Sequence, residues 1–191
     1  MGALDDIKAR LFRRRLHQLR AAQRSTPGQP STPVHPETAE EITLLFIADD
    51  ADERKLISNW RDQFQRPGRK VTALGYFSQP TGTTSFDFTA LSPKDLNWFG
   101  APGGPVVDRF LRESTDLVLA LGPPDHPVLD YLAALKPARL RVGPLTSAPD
   151  APYHIQYDAP GGLKASVRQR LATIEAIFAY TNAVPQPTPI L

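Results

Sequence analysis

Two unbroken apolar runs limit the fold more than anything else in this chain: Ile42-Thr43-Leu44-Leu45-Phe46-Ile47 and Leu117-Val118-Leu119-Ala120-Leu121. A strand with one wet face alternates apolar and polar residues, whereas a run apolar at every position has to be covered on both faces, the condition of a strand inside a parallel sheet. Each run ends in a breaker, Ala48-Asp49-Asp50 or Gly122-Pro123-Pro124-Asp125, and then changes to helical spacing. Leu56, Ile57, Trp60 and Phe64 follow the first, and Val128, Leu129, Leu132 and Leu135 the second. Further strands are expected at residues 71–77, 139–143 and 153–157, a short helix from Pro105, and a last helix over residues 163–180 burying Leu163, Val167, Leu171, Ile174 and Phe178. Residues 78–104 read as loop. The pattern predicts an α/β fold, a mostly parallel sheet in a three-layer Rossmann-like sandwich.

An appended element precedes this core. Residues 4–23 place Leu4, Ile7, Leu11, Phe12, Leu16 and Leu19 at helical spacing. Seven basic residues of the first 24, against Asp5 and Asp6, give this segment +5, although the whole chain of 191 residues carries only +2. The remainder is therefore −3, and the basic character belongs to one helix. The 20 prolines are sorted in the same way, into residues 25–40 and the tail at 183–191, with the rest mostly at turns. The expected organisation is a basic amphipathic helix (1–24), a Pro/Ser/Thr linker (25–40), an α/β domain (41–182) and a proline-rich tail (183–191).

Composition removes several functions. With no cysteine there are no disulfides, thiolate metal sites or cysteine nucleophiles. His17, His35, His126 and His154 match no metal-ligand spacing, so no metal site is assigned. Gly100-Ala101-Pro102-Gly103-Gly104 is neither a P-loop nor G-x-G-x-x-G, and no G-x-S-x-G is present. No cofactor is required. No run has the ~20 apolar residues of a membrane span and no secretory apolar region follows the N-terminal charges. A cytoplasmic location is expected, with the N-terminus part of the mature chain.

Any ligand is expected where parallel strands end. Asp49 and Asp50 follow the first strand, as carboxylates for a ligand or Mg²⁺ or as helix caps. The stretch around them looks like the opening of a receiver domain, but the phosphoacceptor aspartate and the lysine of a receiver do not appear. Tyr76, Gly122, Asp125, His126 and Gly143 end the other strands; His126 suits either an acid–base role or a cap. Trp98 lies in an aromatic loop that reads either as a ligand lid or as a plug of the core edge, with Gly100 at a positive φ. Arg10, Arg13, Arg14, Arg20 and Arg24 suit an anionic lipid or nucleic-acid surface, unless the helix packs Leu4, Ile7, Leu11 and Leu16 on the domain.

Where Lys94-Asp95-Leu96-Asn97-Trp98-Phe99-Gly100, Asp116-Leu117-Val118-Leu119-Ala120-Leu121 and Arg141-Val142-Gly143 succeed one another, the chain resembles a family of small Bacteroidetes proteins of unknown function. The resemblance implies a Rossmann-like fold with a basic N-terminal helix and brings no catalytic residues. Residues 116–143 are also similar to the acceptor-side half of GT-B glycosyltransferases of the heptosyltransferase type, with Ala120 in place of an acidic residue. The function expected is a non-catalytic binding or accessory module. The alternatives are a degenerate or partner-dependent nucleotide-sugar enzyme, and a peripheral protein held to an anionic surface by its first helix.

Overall fold

A computed structural model describes residues 3–24, 34–82, 85–148 and 151–182. Its elements in chain order are α1 (Ala3–Arg24), β1 (Glu41–Ile47), α2 (Ala51–Phe64), β2 (Lys70–Tyr76), β3 (Thr89–Leu91), α3 (Pro105–Arg112), β4 (Thr115–Ala120), α4 (Pro127–Leu135), β5 (Ala138–Pro144), β6 (Ile155–Tyr157) and α5 (Val167–Asn182). The six strands form one sheet in the order β3-β2-β1-β4-β5-β6, and every pairing is parallel. That is the strand order of a doubly wound dinucleotide-binding fold.

The apolar runs are buried on both faces because alternate residues serve different layers. Ile42, Leu44 and Phe46 of β1 join Ile57 and Trp60 of α2 and Val167, Leu171, Ile174 and Phe178 of α5. Leu45, with Val118 and Ala120 of β4, faces Val107 and Phe110 of α3 and Val128, Leu129 and Leu132 of α4. Helices thus cover both sides of the sheet.

Two expectations are corrected. Residues 78–104 contain β3, a three-residue strand on the sheet edge paired with β2; a segment this short is too brief to show a period. The last helix begins at Val167, after a 3-10 turn at Gly162–Lys164, and Leu163 is exposed rather than buried. Gly161 and Gly162 both adopt positive φ, so the α-helix does not extend back through them.

Residues 34–40, expected as linker, lie against the body: Pro36 and Ala39 are buried, and the His35 ring meets Phe178 edge-on at 5.2 Å. The basic helix α1 rests on α4, where Phe12 meets Tyr131 at 5.4 Å between ring centroids. Of the four residues of the packing alternative, Leu16 is half-buried while Leu4, Ile7 and Leu11 are exposed. Arg20 and Arg24 have side chains outside the described set, as does the tail at 183–191.

At the amino ends of the strands, Lys136 is almost wholly buried (2% exposed). Its Nζ donates to the Phe110 carbonyl at 2.6 Å and lies 4.3 Å from the Phe110 ring centroid. Burial lowers the pKa of this amine. The lysine thereby serves one of the unpaired carbonyls that end α3, with the sign of charge a helix C-terminus favours.

Candidate functional site

A doubly wound sheet binds ligands where the strand order reverses, beyond the carboxyl ends of the two central strands. Here that point lies between β1 and β4. From the β1 side it receives Ala48, Asp49 and Asp50; from the β4 side, Gly122, Asp125 and His126; from β2, Tyr76.

The first turn of α2 is where such folds seat a phosphate, on free backbone N–H groups at a helix N-terminus. In this chain it is already occupied. The Asp50 carboxylate accepts from the amides of Asp52 (2.8 Å) and Glu53 (3.0 Å). Asp52 and Glu53 add two more acids to the same turn. Glu53 reaches across to accept from the Val167 amide at 2.9 Å, at the start of α5. A phosphate placed here would lose the amides to Asp50 and face three carboxylates. Asp50 is therefore the helix cap, whereas Asp49 ties the end of β1 to the segment after β2, its Oδ1 accepting from the Ser78 amide at 2.8 Å. Arg54 secures the same turn, donating to the carbonyls of Ala48 (2.6 Å) and Asp49 (3.0 Å) while lying 5.7 Å from the Phe77 ring centroid. Sequence reasoning missed Arg54; its place one turn into the helix after a strand is the signal that was available.

Gly122 and Gly143 are packing residues. A Cβ on Gly122 would stand 2.2 Å from Leu129 Cδ1, and one on Gly143 about 2.3 Å from the Tyr153 ring. The Gly122 carbonyl is held by the buried Arg170 guanidinium. Asp125, at φ 57°, accepts from Ser147 through its amide and its hydroxyl (2.9 Å), joining the loops that follow β4 and β5. All three candidates are engaged within the fold.

Tyr76 and His126 remain. Their rings meet edge to face at 5.6 Å. His126 caps α4, its Nδ1 accepting from the Leu129 amide at 3.3 Å. That contact requires a lone pair on Nδ1 and so leaves the proton of the neutral ring on Nε2. Burial lowers the His126 pKa, with the Asp49 charge acting in the opposite sense. Burial raises the Tyr76 pKa, and Asp49 and Asp95 add to it. The Asp49 charge thus reaches both Tyr76 and His126, and the Asp95 charge reaches Tyr76.

Asp95 belongs to the aromatic loop, which is built rather than slack. The Asp95 carboxylate accepts from the Ser92 amide (2.8 Å) and hydroxyl (3.1 Å). Asn97 Oδ1 accepts from the amides of Phe99 (3.2 Å) and Ala101 (3.0 Å), and Gly100 turns the chain at φ 89°. Trp98, set between Asn97 and Phe99, is 64% exposed, so it does not plug the core edge. The turn of positive φ expected at Gly100 is present. No cluster among the described residues is fit to hold a metal ion, and none of the described helices is long and apolar enough to cross a membrane.

A family model described as "Family of unknown function (DUF6913)" matches residues 9–160. No curated protein and no solved structure matches the chain.

Proposed function

We propose that this chain, which belongs to the family of unknown function DUF6913, is a non-catalytic binding module. Its ligand is a small molecule without a phosphate group, bound at the carboxyl end of the sheet. The observation that carries this reading is the occupied N-terminus of α2: Asp50 takes the amides, and Asp52 and Glu53 surround them with negative charge. A nucleotide or nucleotide sugar would have to displace a cap worth ~1 kcal/mol and place its own charge among three others. The remaining surface offers an exposed indole, the half-buried His126 ring backed by the buried Tyr76, and the exposed Asp49 carboxylate. Those groups suit a neutral or cationic organic ligand with a flat or apolar part. Catalysis has little support, since the Nδ1 of His126 is committed to the backbone.

The test is a thermal-shift screen of nucleotides, nucleotide sugars, Mg²⁺, aromatic amines and quaternary ammonium compounds, repeated on Trp98→Ala. A binder at ~100 times its Kd adds ~2.7 kcal/mol, about 5–10 °C for a chain of this size. The expected result is a shift from an amine or neutral aromatic compound that is lost in Trp98→Ala. Stabilisation by a nucleotide sugar would instead favour the glycosyltransferase-like alternative. A shift unchanged in Trp98→Ala, or none from the whole panel, would refute the reading.

A further inference from the structure

Among the described residues, the first helix meets α4 on the side that carries Phe12. With 100° per residue, Leu4, Ile7 and Leu11 fall within one narrow stripe, and they are 64%, 51% and 36% exposed. Phe12 and Leu16 lie roughly a third of a turn away and are half-buried; Phe12 makes the ring contact with Tyr131 of α4. Docking on α4 therefore fixes the helix with its apolar stripe turned outward. Arg10 and Arg14, both exposed, run along one border of that stripe and the half-buried Lys8 along the other, where Arg15 turns to α4 and hydrogen-bonds Tyr131. Arg13 sits on the far side, where its Nε donates to the Ala9 carbonyl at 3.2 Å.

We propose that this stripe is a membrane-contact surface that seats α1 in the headgroup layer of an anionic bilayer. Three large apolar residues would enter the acyl boundary while flanking cations meet lipid phosphates. A second copy of the chain fits poorly. Three side chains fall far short of the ~800 Å² per partner that stable pairs bury, and two such helices would bring arginines against arginines. Nucleic acid would satisfy the cations but leave Leu4, Ile7 and Leu11 in water. The body of the protein, net −3, adds no further attraction to an anionic surface, so the contact is confined to α1.

The experiment is co-sedimentation of the full chain with phosphatidylcholine vesicles, with and without about a third phosphatidylglycerol, at low and high salt. Binding is expected only to the anionic vesicles and weaker at high salt. Ile7→Ser/Leu11→Ser and Arg10→Gln/Arg14→Gln, all at exposed positions, are each expected to reduce it by about tenfold or more. Far-UV circular dichroism and the thermal midpoint should remain as in the parent chain. No binding to anionic vesicles overturns the proposal, as does binding that Ile7→Ser/Leu11→Ser leaves intact. Duplex DNA binding without vesicle binding overturns it too, as does a dimer in sedimentation analysis that the Ile7→Ser/Leu11→Ser chain no longer forms.

Discussion

Gly143→Ala distinguishes a glycine kept for packing from one kept for a ligand. Gly143 is in β5 with ordinary strand pairing to Gln156 and is not among the positive-φ glycines, so the backbone itself admits alanine. The obstacle is Tyr153. Three of its ring atoms would lie 2.3–2.4 Å from the new Cβ, well inside contact distance, and the ring is 7% exposed. It cannot swing freely, because its hydroxyl donates to Asp130 at 2.5 Å. Forcing the ring aside costs about 1–3 kcal/mol of overpacking. Breaking a hydrogen bond to a carboxylate adds about 1.5–3 kcal/mol. A destabilisation of about 3–5 kcal/mol is expected, roughly 6–20 °C in thermal midpoint. The assay is urea unfolding of Gly143→Ala, Tyr153→Ala and the double variant. Once Tyr153 is truncated, the alanine has room, and it should be neutral or stabilise by up to ~1 kcal/mol through the unfolded chain. The two changes are therefore expected to couple by about 3 kcal/mol or more. A Gly143→Ala cost below ~1 kcal/mol, or one that persists in full beside Tyr153→Ala, would refute the steric reasoning.

Two pH responses follow, one from the half-buried His126 with the exposed His154, and one from the buried Tyr157. His126 and His154 each accept a backbone N–H at Nδ1, from Leu129 and Arg141, and burial lowers both pKa values, with Arg141 contributing at His154. The fold prefers both neutral, so their contribution is present above the unfolded imidazole value of ~6.5 and lost as pH falls through the folded values. The urea midpoint should drop between pH 7.5 and pH 5, and less so in His126→Asn, which keeps a capping side chain; equal drops would sink this assignment. At the alkaline end, burial pushes the Tyr157 phenol up to about 12, while its hydroxyl donates to the Ala120 carbonyl at 2.7 Å. Its stabilisation is full below the unfolded value of ~10 and lost as pH rises through 12, a loss of about 3 kcal/mol. Ultraviolet titration should show a step at about pH 12 that is missing in Tyr157→Phe, whereas Tyr76 and Tyr131, also raised by burial, still ionise in that variant; persistence of the step at about pH 12 in Tyr157→Phe would contradict the assignment.

The sequence by itself determined the layers of this protein. Runs such as residues 42–47 and 117–121 admit only burial on both faces, and the helical spacing between them supplies the cover, so a parallel α/β sandwich was legible without coordinates. Two local roles were legible as well, Asp50 as a helix cap and Gly100 as a turn of positive φ, because both depend on neighbours within a few residues. Tertiary structure decided what depends on distant partners. Gly122 and Gly143 stand at strand ends like ligand glycines, but Leu129 and Tyr153 occupy the space beside them. Lys136 looks like a surface lysine, yet folding brings it under Phe110. Trp98 has a core residue's composition and an exposed position, set by the Asn97 turn. Periodicity also left the orientation of α1 open, since its apolar residues cover about half its circumference; Tyr131, over 100 residues away, selects Phe12 and leaves Leu4, Ile7 and Leu11 outward. Local patterns record which surfaces must leave water, whereas the partner that covers each is fixed only when the chain closes on itself.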